Sequence, residues 1–208
     1  MRLNLTRRDL VRFVALAVMI VILPGCPPPG PTKVACAITT INNAFRADYE
    51  AILRENGTRV FKVSKAEAYD AVRVSLARIG MRVEAQDPMI GYVRVFASAP
   101  LPLTHEEWRR ASEADLPRTK EIIGPCVGDF YASFFNFEPA GLETVITGTV
   151  AETPAGTAVT YTARMREIAP PTSGYSRREY LPPTAVRMGL DKMWRELQQE
   201  FDATYRRR

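Results

Sequence analysis

The 208 residues carry a formal charge of +5, but residues 1–25 hold Arg2, Arg7, Arg8 and Arg12 against Asp9 alone. Three units of the net charge of +5 therefore sit in the first 25 residues, and the remaining chain is close to neutral, at about +2. That balance, with no clustered basic face interleaved with aromatics, excludes a nucleic-acid footprint and predicts no nucleic-acid partner. The length suits one domain with a real core.

The chain opens with those arginines and continues into Phe13–Leu23, a run without charge. A spanning helix needs roughly 20 apolar residues, so this run is too short for one. A basic start followed by a short apolar core is the pattern of a secretory signal, which is excluded from the fold. The run ends in Leu23-Pro24-Gly25-Cys26. These four residues resemble the lipobox of bacterial lipoproteins, with Leu23, Gly25 and Cys26 in its defining slots and Pro24 in its variable one. The resemblance implies cleavage before Cys26, a diacylglyceryl group on its thiol, and a periplasmic or extracytoplasmic protein anchored by lipid to the cell membrane or outer membrane. Thr6 to Arg12 also resembles a twin-arginine export signal, and that route and the general secretory one both remain open. Pro27 to Pro31 reads as a stiff, extended tether. The expected division is thus signal peptide 1–25, lipidated cysteine and tether 26–34, and a single domain 35–208.

With Cys26 assigned to lipid, Cys36 and Cys126 remain. An exported protein with an even pair favours a disulfide; two buried free thiols are the alternative.

Ile38, Ile41, Phe45, Tyr49 and Ile52 recur at helical spacing and predict a helix over about 38–55, stopped by Asn56-Gly57. Arg59–Val63 alternates as a short strand. Ser64-Lys65-Ala66-Glu67 is a capping box. Tyr69, Val72, Leu76 and Ile79 mark the apolar face of the helix it opens, and Gly80 suits a left-handed cap. Met81 to Gln86 alternates as a half-buried strand, residues 87–91 form a turn, and Tyr92 to Ala99 returns. Leu101 to Pro125 is polar and broken by prolines, with a second capping box at Thr104–Glu107 opening a short helix through Ala114. Cys126 to Phe137 reads as a strand, with Tyr131, Phe135 and Phe137 on one face and Phe130 and Phe134 on the other. Leu142 to Val150 is a strand, Thr153–Gly156 a hairpin turn, and Val159, Tyr161, Ala163 and Met165 the buried side of the next strand. A loop over 170–183 precedes a terminal helix striped by Leu190, Met193, Trp194, Leu197, Phe201 and Tyr205.

The predicted class is α+β: an antiparallel sheet of five to six strands with two long helices packed on one face. Tyr69 to Val72, Leu76 to Glu84, Asp87 and Gly91 to Val95 together resemble the helix-grip modules of small envelope lipoproteins, among them the lipoprotein subunit of the outer-membrane barrel-assembly machine. That resemblance implies a scaffold role and supplies no catalytic residues.

His105 is the sole histidine. It stands at a helix start beside Glu106 and Glu107, where acidic residues offset the macrodipole. One histidine and two pairable cysteines offer too few ligands for a zinc or transition-metal site, and Glu106, Glu107, Glu113 and Asp115 lack the spacing of a Ca²⁺ loop. The expectation is therefore no enzyme, no metal and no cofactor. The dense cluster Phe130, Tyr131, Phe134, Phe135 and Phe137 is the candidate binding surface, since aromatics on both faces require a cover. Two functions follow: a lipid-anchored scaffold or accessory subunit with an envelope protein partner, or a carrier holding an apolar ligand in a helix–sheet cleft.

Overall fold

Proline at the first helical position loses nothing by its missing N–H and arrives with φ already helical. Pro31 uses this to open α1 (Pro31–Asn56), with the Gly30 carbonyl accepting from the Lys33 and Val34 amides at 3.0 and 3.2 Å. The computed structural model describes residues 29–169, 179 and 181–206, so the expected signal peptide, Cys26 and most of the 170–183 loop lie outside the described residues. Within them α1 starts at Pro31 rather than near residue 38, and residues 31–34 are helix, not tether. Ala37, Phe45 and Ile52 form its buried stripe, and Gly57 caps its end.

After β1 (Thr58–Phe61), the Ser64 capping box forms as expected and starts α2 (Lys65–Arg78). The Ser64 hydroxyl accepts from the Glu67 amide at 3.2 Å, and the Glu67 carboxylate accepts from the Ser64 amide at 3.0 Å. Tyr69, Val72 and Leu76 are buried, and Gly80 leaves the helix at φ +84°. The hairpin β2 (Arg82–Asp87) and β3 (Tyr92–Ser98) follows. Instead of being half-buried, β2 is exposed along its whole length, because it is an edge strand paired only with β3. Its charges and the register shift between Val83 and Ala85 are what discourage another chain from pairing there.

The segment expected to be broken by prolines is one continuous helix, α3 (His105–Val127), 23 residues long. Pro117 and Pro125 are both exposed, so the ladder bonds they forgo lie on the solvent side, where water replaces them. A five-residue helix, α4 (Asp129–Ser133), occupies the place of the expected aromatic strand. The long hairpin β4 (Leu142–Thr153) and β5 (Gly156–Glu167) and the terminal helix α5 (Pro183–Tyr205) complete the chain. The apolar stripe of α5 ends at Phe201; Tyr205 is exposed.

The five strands form one antiparallel sheet in the order β1-β5-β4-β3-β2. Among the described residues four helices of 14 residues or more accompany it, rather than two. The inward side chains of β3, β4 and β5 (Val93, Val95, Ile146, Val150, Tyr161) share one core with Val72 and Leu76 of α2 and with Leu190, Met193, Trp194 and Leu197 of α5. Trp194 lies 4.6 Å from the Tyr161 ring and donates its indole N–H to the Asn56 carbonyl at 2.8 Å. Burial pushes the Tyr161 hydroxyl pKa well above its ordinary value. Gly148 lets α2 sit close: a Cβ there would meet Val93 Cγ1 at 3.0 Å and Val72 Cγ1 at 3.1 Å.

The opposite sheet face is the more polar one. It presents threonines, arginines and aromatics: Arg82 lies over Phe96 and Arg94 over Tyr92, while Arg166 bridges Glu143 and Glu84. An apolar and a polar face are the ordinary pairing in an antiparallel sheet.

Candidate functional site

The α1–α3 pair builds the place where the aromatic cluster sits. The helices run antiparallel, as shown by Arg118 on Asp48 at 2.6 Å near the middle and the Cys36–Cys126 disulfide near one end. That bond spans 90 residues of sequence with Cα atoms 5.7 Å apart, and the Thr40 hydroxyl lies 3.6 Å from Cys126 Sγ. The carboxyl end of α3 is thereby fixed beside the amino end of α1.

Gly128, at φ +88°, turns the chain there into α4. Five residues cannot sustain a helix alone. Ala132 docks on Ala37, Ile123 and Val127, a second and smaller apolar cluster flanked by Ile41, Tyr131 and Phe135. The Lys120 ammonium donates to the Ser133 carbonyl at 2.7 Å, and the Ser133 hydroxyl to the Phe130 carbonyl at 2.6 Å, so two carbonyls at the helix end are satisfied.

The five predicted aromatics divide as the sequence grouped them, for a different reason. Tyr131 and Phe135 turn inward against the small cluster, and Phe137 stacks on Phe45 with centroids 6.1 Å apart. Phe130 and Phe134 turn outward, 49% and 67% exposed, edge to face at 5.1 Å. The outward pair is an apolar knob on the tip of the domain; the other three hold it in place.

His105 and its acidic neighbours are otherwise employed. His105 is exposed in the first turn of α3. For Glu107, burial pushes the carboxyl up, but bonds from the Thr104 amide and from Lys192 at 2.9 Å outweigh it and hold the pKa below the ordinary range. Glu106 is held low by its bond from Arg109, which also reaches Glu113 at 2.7 Å. Asp115 accepts from the Thr184 amide and hydroxyl at 2.9 and 2.8 Å and so ties down the start of α5. Among the described residues no three His, Cys, Asp or Glu side chains gather as metal ligands, and no helix is long and apolar enough to cross a membrane.

The cleft between α5 and the sheet is filled by Pro102, Leu103, Trp108 and Met193, leaving a cavity of about 10 Å³. That is room for no more than one water. The larger concavities, such as the one of about 590 Å³ between Tyr69, Arg73 and Met89, open broadly to solvent. Comparison of the chain with protein-family models, curated proteins and solved structures gives no match.

Proposed function

We propose that this chain is a lipid-anchored cell-envelope protein that acts by binding, as a scaffold or accessory subunit of a membrane-associated assembly. The observation that carries the proposal is Leu23-Pro24-Gly25-Cys26, placed directly after a basic and then apolar lead. The bonded Cys36–Cys126 pair supports it, since such bonds persist in oxidising compartments outside the cytosol. Binding is favoured over chemistry because the acidic side chains around His105 are committed to caps and ion pairs that hold α3 and α5. A carrier holding an apolar ligand in the helix–sheet cleft is the second reading, and the side chains packed between α5 and the sheet favour the scaffold over it.

Metabolic labelling with a radioactive fatty acid tests the anchor: wild type takes up label and Cys26→Ser does not. Unlabelled wild-type protein overturns the proposal. Affinity capture from detergent-solubilised membranes tests the scaffold role and recovers a stoichiometric envelope protein; a chain that always runs alone refutes that role.

A further inference from the structure

We infer that α4 is a second membrane contact, in which Phe130 and Phe134 enter the interfacial region of the bilayer that holds the Cys26 lipid. The inference rests on the lipid-anchor proposal and assigns a partner, the lipid surface, to a protein feature separate from the anchor.

Three observations carry it. The first is the pair itself: two large rings, 49% and 67% exposed, in mutual contact on a helix too short to exist without its support. A fold that spends a disulfide, a small apolar cluster and two hydrogen bonds on holding α4 presents this pair at a fixed place.

The second is where that place is. Between Cys26 and Pro31 the chain reaches at most about 18 Å, taking roughly 3.6 Å per residue. From Pro31 to Cys36 the helix rises only about 7.5 Å at 1.5 Å per residue. Cys36 is bonded to Cys126, and α4 begins three residues later, at Asp129. The end of the domain closest along the chain to the lipid is thus the end that carries the exposed rings. A leash so short keeps that tip within a few ångströms to a couple of nanometres of the headgroups.

The third is charge. The charged residues of the three segments that meet there, Lys33, Lys120, Glu121 and Asp129, balance in number, so no net charge of theirs opposes approach to a zwitterionic surface. The Lys120 ammonium bonds the Ser133 carbonyl at the carboxyl end of α4, and a lysine keeps such a polar head at the wet level while its methylenes cover apolar surface. Met89 and Ile90, also exposed, lie in the β2–β3 turn, at the opposite end of the strands from Leu142, where the chain coming from α4 enters β4.

The test uses the full acylated chain, extracted from membranes and reconstituted into phosphatidylcholine vesicles with or without bromine on the acyl chains. Phe134→Trp places an indole in the knob, and Met89→Trp places one at the far end; Trp108 and Trp194 are buried and set the background. Contact predicts loss of the Phe134→Trp signal in brominated vesicles with the Met89→Trp signal unchanged. Equal loss in both variants, or loss in neither, overturns the inference. So does a Phe134→Trp signal that bromine leaves intact while aqueous acrylamide cannot reach it, because a protein surface then covers the knob. Acyl label on Cys26 without quenching sinks the second contact alone, whereas absence of label removes the anchor and the contact together.

Discussion

Replacing Cys36 and Cys126 together by alanine removes a cross-link that closes a loop of 90 residues. In the chain-entropy treatment a loop of that length constrains the unfolded chain by about 4.5 kcal/mol at 25 °C. A domain of this size loses about 2–4 °C of melting temperature per kcal/mol, so the double variant melts roughly 9–18 °C below wild type. A second, local effect accompanies the global one. Beyond the bond the tip is held by Ala37, Ile123, Val127 and Ala132 with their half-buried neighbours and by the two hydrogen bonds at Ser133. Backbone amides of residues 31–41 and of α4 therefore exchange faster than those of α2 and α5, beyond what the global loss alone produces. Calorimetry and amide exchange on the same two samples read both effects, and a reductant added to wild type reproduces them. A double variant that melts within about 2 °C of wild type, with unchanged exchange at the tip, refutes the assignment of the bond as the constraint on this region.

Gly148→Ala places a methyl between Val93, Val72 and Tyr161 at 3.0–3.4 Å, and overpacking of that kind costs about 1–3 kcal/mol. Urea denaturation measures the loss; an equally stable variant means that α2 has slack against the sheet. Ser64→Ala removes the hydroxyl that accepts from the Glu67 amide and costs about 1 kcal/mol, while Ser64→Asp retains most of it. Glu107 is held below its ordinary value of 4.5 in the folded chain, so its contribution is complete above that pH and disappears as the pH falls through the folded value. Glu107→Gln accordingly flattens the acid side of the stability–pH curve, and an unaltered acid limb contradicts the Lys192 pairing.

What could be read from the sequence was written in short-range chemistry. The Ser64 box, the left-handed Gly80 and the Thr153–Gly156 turn each depend on residues a few positions apart, and each appears where the spacing puts it. The buried side of β5 was legible for the same reason, because Val159, Tyr161, Ala163 and Met165 alternate without interruption. The exposure of β2 was hidden because a strand's place at a sheet edge is decided by pairings far away in the chain. The aromatic stretch was misassigned because a separation of four residues is two strand repeats and also close to one helical turn. Phe130 with Phe134 and Tyr131 with Phe135 therefore share a side under either period, so the grouping was recoverable although the element was not. Pro117 and Pro125 masked the length of α3, since their compatibility with the helix depends on facing water. The site was legible as a set of residues and illegible as a shape: nothing local in the sequence says which two rings face outward.

The bond between α1 and α3 also determines how the domain responds to being pulled. Tension arriving through the chain before Pro31 enters α1 at its first turn and can unwind no further than Cys36 before it meets a covalent branch. From there it divides, one part running up α1 toward Ile52 in the main core and the other crossing into α3. Peeling of α1 from its amino end is thus arrested within its first two turns, and β1, β2 and β3, which all lie between the two cysteines, are bypassed by tension that crosses the bond toward β4.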